Sequence, residues 1–180
     1  MAGGLGLDAD LADYRWDTRP APLWGGRLLA GRGALALGLG GWTARTTQET
    51  GVPGAPVVPR VALASLTAVG LARVASPLGC ELWLGAQAGR MHVGWDPGEM
   101  VVDGDGAPLT VTFADIDTWC VGAVVELRRQ LAPALQASLQ AERSTWSLDT
   151  AHRVGQDIEY REDRFANWTA SLQLAWRWRP

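Results

Sequence analysis

The chain has no lysine: all 16 of its basic residues are arginine, scattered rather than clustered along its 180 residues. Against 19 acids they leave a formal charge of −3, so nothing marks a nucleic-acid-binding surface, and no nucleic-acid partner is expected. Isoleucine and phenylalanine are scarce at two each, so the usual bulky fillers of a soluble core are largely missing. No stretch approaches the roughly 18 consecutive apolar residues of a membrane-spanning helix. The two cysteines, Cys80 and Cys120, match no metal-binding or redox spacing and read as structural thiols. No metal or cofactor is expected. Met1 leads within four residues into a patterned segment, with no signal-peptide pattern ahead of it. This fits a cytosolic protein, or a mature form that carries an added Met.

What is present is 47% hydrophobic residue, mostly Ala, Leu and Val, together with ten Trp and 22 Gly. That composition excludes disorder, and the length suits one domain over residues 1–180. Period 2 dominates and period 3.6 is hard to find. Leu5, Leu7, Ala9 and Leu11 alternate with Gly6, Asp8 and Asp10, and Leu35, Leu37 and Leu39 with Ala36 and Gly38. Trp119, Val121, Ala123, Val125 and Leu127 alternate with Cys120, Glu126 and Arg128. At the far end Trp168, Ala170, Leu172, Leu174, Trp176 and Trp178 alternate with Thr169, Ser171, Gln173 and Arg177. Eight such strands are counted. Their connections alternate long (17–22, 46–59, 96–109, 148–166) and short (31–33, 75–79, 130–133). Strict alternation of this kind is what an up-and-down meander gives when its two ends face different surroundings.

The pattern predicts an all-β fold, an eight-stranded antiparallel up-and-down transmembrane β-barrel. Indole rings favour the interfacial zone, where a semi-apolar layer still offers hydrogen-bond partners. Trp16, Trp24, Trp42, Trp95, Trp146 and Trp168 are therefore expected at the interface near the long connections, with Trp83, Trp176 and Trp178 at the other interface. Asp8, Asp10, Arg27, Glu126, Arg128, Glu142 and Arg177 are expected inside the barrel as a paired polar network, because isolated buried charges are too costly. Asp8 and Asp10 with Arg27, and Arg177 across the closing seam, are the candidate pairs. Alternation alone does not say which face points inward. Side-chain size favours the polar face, since an eight-stranded interior is only wide enough to be filled by side chains.

The alternating strands, the short turns "GRG" and "SPLG", and the terminal "SLQLAWRW" resemble the small eight-stranded bacterial outer-membrane barrels of the OmpA/OmpX-like group. The resemblance implies a C-terminal strand with alternating apolar positions and a final aromatic, read by the insertion machinery. Leu172, Leu174, Trp176 and Trp178 match that pattern, and the chain continues through Arg179 and Pro180. It also implies location in the bacterial outer membrane after removal of a leader, with outer-membrane lipids, lipopolysaccharide and other envelope proteins as partners of a monomer.

The leading function class is a structural or interaction barrel that works through its long loops and is neither an open pore nor an enzyme. A soluble lipocalin-like barrel holding an apolar ligand would show the same alternation turned the other way. A lipid A-modifying enzyme would want His92 or His152 beside a Ser, yet positions 93 to 95 are Val, Gly and Trp, and no catalytic set is assigned.

Overall fold

The computed structural model describes residues 1–7, 10–11, 14–17, 19–50, 58–104, 107–154 and 157–176, and within these no side chain of 10–11, 14–16, 49–50, 103–104, 107, 109, 148–154 or 157–161. Eight strands make up the main sheet: β1 (Ala2–Leu7), β2 (Ala21–Arg32), β3 (Leu35–Thr50), β4 (Arg60–Ala75), β5 (Cys80–Asp96), β6 (Ile116–Ala132), β7 (Leu135–Val154) and β8 (Asp157–Trp176). Each is antiparallel to its neighbours in the sequence. β1 then pairs with β8, Ala2 opposite Leu172 and Leu7 opposite Asn167, so the sheet closes into a ring. The expected all-β fold and its eight-stranded antiparallel order are present. Closure leaves no strand of the ring without two neighbours, which removes the exposed edges that invite aggregation.

The short turns lie at one end of the ring. Gly33 takes φ +65° between β2 and β3, a left-handed conformation that glycine adopts without steric penalty. Leu78 and Gly79 are also left-handed in the turn from Pro77 to Gly79, where Leu78 is fully exposed. The long connections lie at the other end, and two of them are more regular than the sequence suggests. Residues 148–166, read as a loop, continue β7 and β8 as one ladder, Val154 opposite Asp157 at its tip. Within the connection expected over 96–109, Glu99–Gly104 pairs with Ala107–Thr112 as a separate hairpin. Both stretches are rich in charge, and the second also in Gly, the usual marks of a loop. Cross-strand pairing overrides those marks because the ladder satisfies the backbone donors and acceptors that face the partner strand.

Side chains alternate across the wall as a pleated strand requires, and the assignment of faces is inverted relative to a soluble protein. Leu35, Leu37 and Leu39 of β3, Val121 and Val125 of β6, and Leu172 and Leu174 of β8 point outward and are exposed. Glu126 and Arg128 of β6, Gln140 and Glu142 of β7, and Thr169 and Gln173 of β8 point inward and are buried. The interior is layered. Toward the long connections it is apolar: Leu5, Leu23, Trp42, Val61, Leu63, Met91, Val93, Cys120, Trp146 and Phe165 form one cluster. Below lies a polar layer, and below that a cavity of about 710 Å³ reaches toward the short turns.

Candidate functional site

Two features distinguish this ring: the polar network inside it and the apolar band outside it. The network is organised on Glu142, whose carboxylate accepts from four donors. Arg27 and Gln140 reach Oε1, while Gln87 and Thr169 reach Oε2, each at 3.2 Å. A carboxylate has about four lone-pair sites, so Glu142 is saturated. Gln87 also donates to Ser144 Oγ at 3.0 Å and accepts from Thr67, and Gln173 donates to Gln140. Beside it Arg128 grips Glu126 through Nε and Nη2, both at 2.9 Å, and Arg27 Nη1 lies 3.5 Å from Glu126 Oε2. Two arginines thus face two glutamates, with side chains 3–8% exposed and no net charge. Gly40, opposite Arg27 on β3, makes this possible: a Cβ there would lie 2.8 Å from Arg27 Cγ.

Four of the seven residues expected in the interior network, Arg27, Glu126, Arg128 and Glu142, meet in this layer. Asp8 and Arg177 lie outside the described residues, as does the side chain of Asp10, so the pairs proposed for them are not among the described contacts. Gln87 and Thr67 were missed. The signal for Gln87 was a single polar residue inside the apolar run "GAQAG", on the same parity as Trp83.

The tryptophans divide. Trp24, Trp168 and Trp176 are exposed on the outer face, and Trp119, not assigned to either interface, joins them. Trp42, Trp83 and Trp146 were expected outside and are instead buried in the interior, 7%, 4% and 3% exposed. Their positions explain the correction. Trp42 is even-numbered on a strand whose outward Leu are odd, Trp83 sits between outward Leu82 and Leu84, and Trp146 is even where outward Leu139 and Ala141 are odd. Strand parity outranks the preference of indole for interfaces, because a one-residue exception would need a bulge. Inside, Trp146 stacks on Phe165 at 4.9 Å and donates to Asn167 Oδ1 at 3.0 Å, and the Arg128 guanidinium lies 4.3 Å above Trp83. Trp95 is half-buried and donates to the buried Gln48 at 2.8 Å, so it too turns inward. The side chain of Trp16 and all of Trp178 lie outside the described residues.

Outward positions on β8 carry no charge from Ala166 to Trp176, and on β6 none from Trp119 to Leu127. Eleven residues of β8 cover about 34 Å along the strand and, at a tilt near 40°, about 26 Å in height. A continuous apolar belt of this extent is far above the few hundred Å² that soluble monomers expose. At its upper edge Arg90 lies over Trp119 at 5.3 Å and Arg143 over Trp168 at 4.6 Å.

The remaining candidates are modest. His92 faces outward and its Nδ1 lies 3.2 Å from Asp117 Oδ1, an exposed pair whose partner is a carboxylate rather than a hydroxyl nucleophile. The side chain of His152 lies outside the described residues. No group of acids, cysteines and histidines suited to a metal ion occurs among the described residues. On the long-connection side Arg19 donates to Asp17 from its backbone and its guanidinium at 2.8–3.1 Å, which, with Thr47, lowers the Asp17 carboxyl from 3.8 to about 2. Being depressed, this pKa lends stability that is complete above the ordinary value and is lost as pH falls through about 2. A carboxyl-detected NMR titration is expected to place the Asp17 midpoint near 2, and Arg19→Gln to return it toward 3.8.

No family model matches the chain, and no curated protein is similar enough to it to count as a relative.

Proposed function

We propose that the chain is a transmembrane β-barrel of the bacterial outer membrane, with a structural or interaction role carried by the end that bears the long connections. One observation carries the reading: around the ring the apolar face is outside, while ion-paired arginines and glutamates are inside. In water that arrangement is doubly unfavourable, because it exposes a hydrophobic belt and buries charge. In a bilayer the belt is solvated by lipid, and the closed ring satisfies its own backbone, the condition for a sheet to span. The belt height of about 26 Å suits the apolar band of roughly 25 Å found in such barrels.

The filled interior argues against an open pore. Among the described residues, the apolar cluster from Leu5 to Phe165 fills the ring above the Glu142 layer, and the cavity lies below that layer. The cavity is lined both by polar Arg27, Glu126, Arg128, Gln136 and Gln173 and by apolar Leu28, Leu35, Ala36 and Trp83, and the ion-paired side chains among them disfavour a wholly apolar ligand. The chain's partners in this reading are outer-membrane lipids and lipopolysaccharide, with other envelope proteins reached through the hairpin ends, and the barrel is a monomer.

The test is refolding into lipid vesicles followed by electrophoresis with and without boiling. A closed barrel is expected to run at a different apparent mass until it is heated, and to resist protease over its strands. Freely soluble monomer without detergent overturns the reading. For the enzymatic alternative, His92→Ala is expected to leave the lipid A profile of expressing cells unchanged, as judged by mass spectrometry.

A further inference from the structure

We propose that the cavity beneath the Glu142 layer is a binding site for an uncharged sugar of one or two rings, entered from the end that carries the short turns. The inference goes beyond the barrel reading and needs only the interior of the ring.

The cavity wall carries polar groups with nothing in the chain to bond to. Arg128 on β6 lies opposite Ser138 on β7, which lies opposite Gln173 on β8, so the three form one inward row across adjacent strands. Gln136 sits on the same face of β7, two residues nearer the short turn. All four line the cavity and are at most 9% exposed. Among the described residues, the side chains of Gln136 and Ser138 have no hydrogen-bond partner. The Gln173 carbonyl oxygen has none either, while its amide nitrogen donates to Gln140. Arg128 commits Nε and Nη2 to Glu126, which leaves the N–H groups of Nη1. These atoms are not sealed off as Arg27 Nη1, Asn167 Nδ2 and Ser171 Oγ are, so they open on the cavity. Buried polar groups are nearly always satisfied, and here the partner must come from whatever fills the space.

Charge and polarity select the ligand. Each arginine of the wall already faces a glutamate: Arg27 lies against Glu142 and Glu126, Arg128 against Glu126, and Arg73 lies 2.7 Å from Glu81. An anion would compete with those carboxylates and a cation with the guanidiniums, whereas a neutral molecule disturbs no pair. The open groups mix donors and acceptors: a guanidinium edge that donates, an amide oxygen that accepts, and a hydroxyl and a carboxamide that do both. Sugar hydroxyls, each a donor and an acceptor, meet that mixture. Trp83, Leu35 and Ala36 supply apolar surface for the C–H faces of a ring, and Trp83 directs its own N–H to Glu81 at 3.1 Å. The volume of about 710 Å³ lies within the roughly 300–1,000 Å³ of small-molecule pockets.

The experiment is equilibrium dialysis of the full chain in phosphatidylcholine nanodiscs against labelled glucose and maltose, with glucuronate and choline as charged probes. Wild type is expected to bind at least one of the neutral sugars saturably, and more tightly than either charged probe. The double variant Gln136→Leu, Ser138→Ala breaks no ion pair or side-chain hydrogen bond among the described residues, and it should weaken sugar binding at least about tenfold. The single substitutions, each expected to weaken it by a smaller factor, carry the comparison should the pair fail to fold, as judged by heat-dependent migration. Absence of saturable sugar binding by wild type overturns the site and leaves a water-filled cavity. Equal affinity for glucuronate or choline also overturns it, as does a folded double variant that binds as wild type does. A freely soluble chain sinks the barrel reading, and dialysis of that chain in water still decides the site. A chain that inserts and binds no sugar sinks the site alone.

Discussion

Replacing Glu142 with alanine is expected to destabilise the folded ring by about 3–5 kcal/mol, the usual cost of breaking a buried ion pair from one side. The carboxylate accepts from Arg27, Gln140, Gln87 and Thr169, so its removal strips four donors of a partner at once. Arg27 keeps only its contact with Glu126, which Arg128 already occupies through two hydrogen bonds. Equilibrium urea unfolding in short-chain lipid vesicles measures the loss. The variant Arg27→Leu, Glu142→Leu removes the charge from both sides and should be less destabilised than the sum of its single substitutions. A loss below about 1 kcal/mol for Glu142→Ala would mean that water reaches the layer and screens it.

The second large effect separates the bilayer from water. Leu172 points outward within the uncharged run of β8 and is 61% exposed. In a bilayer, Leu172→Arg places a cation well inside the hydrocarbon and is expected to cost about 2–4 kcal/mol. In water the same change is a surface substitution, within about 0.5 kcal/mol of neutral, and it would improve solubility. Reversible unfolding of the two chains in vesicles of one composition decides between these outcomes. Trp176→Arg, at the lower edge of the band, should cost less, because the penalty falls toward the interface.

Much of this architecture was legible in the residues. Alternation fixed the strands because a pleat has a period of two and no other solution, and alternating connection lengths fixed the meander. Arg27, Glu126, Arg128 and Glu142 were found by the same parity that exposes Leu28, Val125, Leu127 and Leu139. The errors came from using residue preference where parity already held the answer. Trp42, Trp83 and Trp146 were placed by what indole favours, although each shares its face with residues that point inward. Their burial has a further cause that no local rule contains: the interior near the long connections is apolar, so bulky rings are wanted there. The loop read over 148–166 failed for a related reason. Composition marks a segment as polar, whereas pairing depends on the strand opposite, and Leu148–Val154 meets Asp157–Asp163 residue for residue.

The layered interior has an electrical consequence. In the proposed setting a potential across the membrane acts between two aqueous phases, and the Leu5–Phe165 cluster is the stratum of lowest polarisability between them. Most of the voltage falls there, as across the insulator of a capacitor. The charges of Arg27, Glu126, Arg128 and Glu142 lie below that stratum, and because the two arginines and two glutamates carry no net charge a field exerts little net force on them. Such a ring behaves as a fixed dielectric element whose charged layer does not respond to changes in the field.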